Sequence, residues 1–402
     1  LSNKIVGKHE QRRLMRLIEV VKKRETKDFI RVPKILYKND STWVSPLDND
    51  IDSIFNPLEN VYYSHGQAIR WILKDDSGSL IGRVAAFIDN NTAPTWDQPT
   101  GGIGFFECIN SQEAANTLFD AAVKWLSERG MEAMDGPINF GETDKYWGLL
   151  IEGFTHPSYE VAYNFPYYKT LFETYGFKIF YTMTGFHLDL KKEPEPRFMK
   201  IAEWVVNKPE YEFRHFRWDE VDKFISDFSE VFNQAWASFK KENFKPLKPE
   251  YIKRTLKKGK IVIDVELIWI AYYKDHPVAI FMMYPDINMI LKHLNGKMSL
   301  INMIRFILLK RKKAITRIKG LLFGVIPEYQ GRGLESGFMY QILKVLEHKP
   351  QYYEAEFSWV ADYNPPMSKT FYSLGAVPAK IYATYRLLFD REKEFVRYPI
   401  PE

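Results

Sequence analysis

The sequence predicts a mixed α/β fold built as two tandem copies of one unit, each a mostly antiparallel mixed sheet flanked by helices. Two observations carry that reading. The first is an apolar run, Gly320-Leu321-Leu322-Phe323-Gly324-Val325-Ile326, which passes through Pro327 and the pair Gly331 and Gly333. Beyond the pair, Leu334, Phe338, Ile342 and Leu346 recur at helical spacing, so the segment reads as strand, glycine turn and helix. The second is an internal repeat: Tyr163-Asn164-Phe165-Pro166-Tyr167-Tyr168-Lys169-Thr170 returns as Tyr363-Asn364-Pro365-Pro366-Met367-Ser368-Lys369-Thr370, with five of eight positions identical. Each copy runs on to a glycine stop, Gly176 or Gly375, and then to a β-rich stretch, 178–188 or 380–389. Two copies half a chain apart argue for duplication, since solenoid periods are far shorter.

The elements follow in order. Residues 4–35 make a basic amphipathic opening without the apolar core of a signal peptide. Segments 68–74 and 80–88, joined by Asp75-Asp76-Ser77-Gly78, read as a hairpin, and 102–109 as a further strand. Ser111 caps a helix through Ala114, Leu118, Ala121, Ala122 and Trp125 that stops near Gly130, and 131–138 is the next strand. The loop 136–148 interleaves charges, glycines and aromatics, which suits either an acceptor pocket or an interdomain contact. Charges and prolines cluster at 191–196, placing a linker at 191–204 between a first unit, 1–190, and a second, 205–402. The second unit reads as strand 211–218, helix 219–235, hairpin 265–284, a basic segment, the strand–turn–helix above, strand 352–360 and a helix opened by Asn364.

The single cysteine, Cys108, excludes a disulfide framework and a cysteine-rich metal site and fits a reducing, cytoplasmic compartment. Eight histidines show no ligand spacing, so no metal is expected. No run reaches the roughly 20 apolar residues that span a bilayer. Net charge is +5, yet residues 292–319 hold nine basic residues and no acid, so the remainder is net negative. Within that window an apolar stretch, 298–309, meets Lys310-Arg311-Lys312-Lys313. This suits peripheral attachment to an anionic membrane through 298–313, or a buried helix with a solvated end. No compact nucleic-acid motif is present, and no nucleic-acid partner is expected.

The stretch from Val325 to Glu335 resembles the acyl-CoA signature of the GNAT superfamily of N-acyltransferases, Gln/Arg-x-x-Gly-x-Gly/Ala after a strand ending in Val-x-Pro. Gly331 and Gly333 match it, while Glu328 stands where Gln or Arg is usual. The repeated asparagine, helix, glycine and strand pattern is similar to the C-terminal part of a GNAT domain. The resemblance implies tandem GNAT-like domains with a degenerate first copy, because Cys108-Ile109-Asn110-Ser111 lacks the glycine pair. It implies acyl transfer from acetyl-CoA or a longer acyl-CoA to an amine-bearing small molecule, peptide or lipid. Backbone N–H groups of Gln330, Gly331, Arg332, Gly333 and Leu334 would hold the pyrophosphate at the helix start. Val325 and Ile326 would face the thioester arm in a splay between this strand and the next, and Asn364 would contact that arm or serve as an N-cap. Amine acylation needs a base and usually an acid. Many GNAT enzymes place a tyrosine acid seven residues after the asparagine; here that residue is Phe371, with Tyr372 beside it. Glu354, Glu356 and Ser358 share one face of the next strand, giving Glu356 as candidate base and Tyr372 or Tyr363 as candidate acid, against the reading of all three as solvent-facing residues. The competing class is an inactive tandem GNAT that binds a ligand, membrane or partner. Phe371 favours it and the glycine pair opposes it.

Overall fold

The computed structural model describes residues 15–240 and 246–400. Its first half runs β1 (Arg16–Glu19), α1 (Lys23–Leu36), α2 (Asp48–Ile54), β2 (Gly66–Lys74), β3 (Leu80–Asp89), β4 (Thr100–Cys108), α3 (Gln112–Ser127), β5 (Ala133–Gly136), β6 (Leu149–Glu152), α4 (Tyr168–Tyr175) and β7 (Lys178–Asp189). The expected hairpin is β2–β3, and Ser111 caps α3 by accepting from the Ala114 N–H. Of the basic opening, residues before 15 lie outside the described residues; the rest is β1 followed by α1.

The second half runs α5 (Pro196–Val206), β8 (Tyr211–His215), α6 (Val221–Lys240), α7 (Pro249–Gly259), β9 (Ile268–Tyr273), β10 (His276–Pro285), α8 (Asn288–Leu291), α9 (Leu300–Arg311), β11 (Arg317–Val325), α10 (Leu334–His348), β12 (Glu354–Ala361), α11 (Pro365–Ser373) and β13 (Val377–Leu388). Besides the short α2 and α8, two longer helices were not anticipated. One is α7; the other is α5, which fills most of the expected linker 191–204 and buries Phe198, Ala202 and Val205 in the core of the second half. The repeat has a matching outcome in both halves, because α4 and α11 each lead to a left-handed glycine, Gly176 at φ +108° and Gly375 at φ +81°, and then a long strand.

All strands join one sheet in the order β1-β2-β3-β4-β5-β13-β7-β12-β11-β10-β9-β8, with β6 pairing to β13 off this path. The last strands of the halves are thus exchanged. β13, from the chain's end, lies between β5 and β7, and β7, from the first half, lies between β13 and β12. Side chains follow the exchange. Ala383, Tyr385 and Leu387 of β13 pack with Leu118, Phe119 and Phe172 of the first half. Phe186 and Leu188 of β7 pack with Phe357 and Phe371 of the second. Burying a large aromatic is worth about 2–3 kcal/mol, so each half draws core stability from a strand the other supplies.

Candidate functional site

Strands β11 and β12 run parallel but pair only from Arg317 opposite Glu354 to Gly320 opposite Phe357. Beyond Gly320 they part, and a register shift between Met282 and Met283 on the β10 side lies at the same level. The parting lies where the resemblance implied a splay. At its mouth β11 leads through a short 3₁₀ turn, Pro327–Tyr329, to Gly331 at φ +71° and Gly333 at φ +80°, the residue that precedes α10.

The two glycines do different work. A Cβ on Gly331 would meet nothing within 4 Å, so that residue faces open space. A Cβ on Gly333 would meet Ile201 and Val205 of α5 at 3.0 and 3.1 Å, so that residue lets α5 pack against the turn. Among the described residues, the N–H groups of Gly331 to Glu335 donate to no protein acceptor. With the positive end of the α10 dipole behind them, they present positive potential at the mouth of the splay. Gln330 is exposed, its Nε2 donating to the Val325 carbonyl at 3.3 Å, and the Arg332 guanidinium lies over the Tyr329 ring. Leu334 and Ile326 are buried. Asn364 takes the cap position of α11, yet its side chain caps no N–H.

The equivalent place in the first half is closed. The carbonyl of Ile138 lies against Gly104, where a Cβ would come within 1.9 Å of it, so the gap beside β4 is filled. At the end of β4, the Tyr167 hydroxyl donates to the Cys108 carbonyl at 2.7 Å and the Cys108 N–H donates to the Tyr168 hydroxyl at 2.9 Å. Met367 and Ser368 stand at those positions of the second copy, so the two tyrosine hydroxyls that bond the end of β4 have no counterpart there.

At the closed end of the splay lies a buried cluster of charges. Glu356 Oε2 is 2.6 Å from Lys380 Nζ and 3.2 Å from Arg317 Nη1, and Arg317 also pairs with the fully buried Asp286 at 2.7 Å. Three cations grip carbonyls of a first-half loop: Arg317 those of His156 and Pro157, Lys380 that of His156 at 3.1 Å, and Lys319 that of Tyr159 at 2.8 Å. Burial pushes the Glu356 carboxyl up, but Lys380 and Arg317 outweigh it and the net shift is downward. Burial lowers Lys319 and Lys380. Burial and the adjacent Arg317 bring His156 down to about 4, so its ring is neutral at pH 7. His156 Nδ1 lies 3.0 Å from Arg317 Nη2 and must accept there, which puts the ring proton on Nε2. That Nε2, the Ser158 hydroxyl and the Tyr382 hydroxyl are buried and have no partner among the described residues.

Of the sequence candidates, only Glu356 belongs to this cluster. Tyr372 is exposed with its edge against Phe186, and Phe371 is buried and stacked on Phe357. Tyr363 sits between Tyr181 and Tyr398, and burial pushes its hydroxyl up to about 12. Sequence reading missed His156, Asp286, Arg317, Lys319 and Lys380. Arg317 and Lys319 had been counted with the basic segment, whereas they are buried in β11. Two cations at i and i+2 opening an apolar strand were the available signal. Among the described residues, no group of three His, Cys, Asp or Glu side chains could hold a metal ion.

No family model matches the chain. It is 24% identical over 368 residues to a bacterial ceramide synthase of Caulobacter vibrioides (strain NA1000 / CB15N), covering 90% of this chain and 94% of that one. It is 24% identical over 372 residues to protein YghO of Escherichia coli (strain K12), covering 90% and 93%. In fold it is similar to a tandem GNAT protein from the clavulanic acid biosynthesis pathway, with a TM-score of 0.54 at 10% identity, covering 93% of this chain and 98% of that one.

Proposed function

Given that the chain is a tandem GNAT-fold protein, we propose that it is an acyl-CoA-dependent N-acyltransferase whose second unit, 205–402, binds the donor. One observation carries the reading: β11 and β12 part after four registered pairs, and β11 ends at a glycine turn whose N–H groups find no acceptor among the described residues. Those groups and the α10 dipole suit a pyrophosphate, and the gap suits an extended thioester arm against Val325 and Ile326. Asn364 is proposed to contact that arm. The donor is acetyl-CoA or a longer acyl-CoA.

In the reaction the amine nitrogen attacks the thioester carbonyl carbon, a C–N bond forms, the C–S bond breaks, and nitrogen gives up a proton while the thiolate gains one. At the closed end of the gap Arg317 and Lys380 lie against Asp286 and Glu356, and Lys319 lies near Glu160; these three cations are proposed to stabilise the oxyanion and thiolate as they develop. Glu356 is the proposed proton acceptor. Its cation partners keep it ionised and weakly basic, which suits a nitrogen made acidic by C–N bond formation. Tyr363, protonated at neutral pH, is the proposed donor to the thiolate, with Tyr372 as the alternative. The ceramide synthase name of the Caulobacter relative supports an amine acceptor, since a ceramide is an amide of a long-chain amino alcohol.

Calorimetry with CoA, followed by a panel of acyl-CoAs and amines read by mass spectrometry, tests the proposal. Binding and a new amide are expected. Absence of CoA binding at millimolar concentration would leave an inactive binding module as the remaining reading.

A further inference from the structure

Helix α9 is inside out. On a 3.6-residue wheel, Leu300, Ile301, Met303, Ile304, Ile307 and Leu308 fall on one side, spanning nearly half the circumference. That side faces solvent: Leu300 is 79% and Ile301 77% exposed, and Met303, Ile304 and Leu308 are exposed as well. The opposite side holds the helix in place through buried Phe306, through Leu309 against the second-half core, and through Lys310 Nζ on the Ile261 carbonyl. An apolar face presented to water costs about 25 cal/mol per Å² relative to burial, so it implies a partner.

Charge decides which partner. Lys292, Lys297, Arg305, Arg311, Lys312 and Lys313 are all exposed on and around α9, and no acidic residue lies between Asp286 and Glu328. A second copy of this chain would bring the same cations onto one another, and neutral lipid would gain nothing from them. We infer that α9 docks on the surface of an anionic lipid bilayer, its apolar side among the acyl chains and its flanking cations on the headgroups. The helix spans roughly 18 Å at 1.5 Å per residue and so lies on the bilayer without crossing it. Among the described residues no helix is long and apolar enough to cross a membrane. The inference stands whether or not acyl transfer occurs, because it uses none of the site residues.

Co-sedimentation of the full chain with vesicles of phosphatidylcholine alone, and of phosphatidylcholine mixed with phosphatidylserine, tests it. Wild type is expected to sediment with the mixed vesicles at low salt and to be released as salt rises, since exposed charges are screened over about 10 Å at 0.1 M. Replacing Leu300, Ile301, Ile304 and Leu308 together by Ser should abolish sedimentation without lowering Tm, the side chains being exposed. Arg311→Glu with Lys312→Glu should remove the preference for phosphatidylserine, by on the order of fivefold or more per residue. Wild type remaining in the supernatant with both vesicles, or a quadruple Ser variant that sediments like wild type, would overturn the inference. A dimer in lipid-free sedimentation velocity that the Ser variant dissolves, without vesicle binding, would instead make this face a self-association surface.

Discussion

Lys380 Nζ lies 2.6 Å from Glu356 Oε2, although β7 stands between the strands that carry them. The crossing takes place at Gly185, which is registered opposite Lys380 and has no side chain to obstruct it. A Cβ there would sit 3.6 Å from the Lys380 Cβ, an ordinary contact, whereas a longer side chain would occupy the path of the lysine. Gly185→Ala should therefore be nearly neutral and Gly185→Leu destabilising. Lys380→Met should cost about 3–5 kcal/mol, because it leaves a buried carboxylate with only part of its compensation. The double change Lys380→Met with Glu356→Leu should cost clearly less than the sum of the two single changes. Urea denaturation of the four proteins in one cycle measures that coupling; additive losses would mean the contact contributes nothing.

Acid should destabilise the protein in two separate windows. His156 has a folded pKa near 4 against an ordinary 6.5, so between those values the unfolded chain takes up a proton that the native ring refuses. Stability contributed by the neutral ring is lost as pH falls from about 6.5 to about 4 and changes no further below that. Glu356 is depressed from 4.5, so its contribution is present above 4.5 and is lost as pH falls through the lower folded value. Melting temperatures from pH 8 to 3 should show His156→Gln flattening the first window and Glu356→Gln the second. An unchanged profile in either variant would remove that residue as a source of the acid sensitivity.

Much of the fold was legible because it rests on local patterns. The run 320–326, the glycine pair, the Ser111 cap and the duplicated asparagine-to-glycine segment each fix their own element, and each element formed where expected. The exchange of β7 and β13 was not legible, since either long strand satisfies the same alternation whichever neighbour it pairs with. The cluster at the closed end of the gap was hidden for the same reason. Glu356, Lys380 and His156 lie on three separate segments, and only the exchanged order brings them together. Sequence could identify Glu356 by its place on β12, but its partners belong to tertiary structure alone.

The exchange predicts that neither half folds alone. A chain of residues 1–190 lacks β13, leaving β5 with β4 alone and β7 without either neighbour, while 191–402 lacks the strand that joins β12 to β13. Each fragment would expose Phe186 and Leu188, or Tyr385 and Leu387, on unpaired strand edges. Expressed separately, both should be insoluble or lack cooperative melting; expressed together, they should form a soluble complex of native circular dichroism. A fragment that folds alone with a sharp transition would show that the halves are independent domains.

The proposed anion cradle can be tested at Gly331 without disturbing the fold. Its φ of +71° suits Asn and Asp better than other substitutes, and its Cβ direction is open. Gly331→Asn and Gly331→Asp should therefore melt within a few degrees of wild type and of each other. They differ by one negative charge placed beside the N–H groups of residues 331–335, where a pyrophosphate is proposed to sit. Repulsion between unit charges a few ångströms apart near a protein surface runs from about 1 to 4 kcal/mol, so Asp should weaken CoA binding by roughly fivefold to several hundredfold. Asn should stay within a few-fold of wild type. Calorimetry with CoA, and with dephosphorylated pantetheine as a control that lacks the pyrophosphate, separates the charge effect from a change in loop shape. Equal affinity of the Asn and Asp variants for CoA would place the pyrophosphate elsewhere.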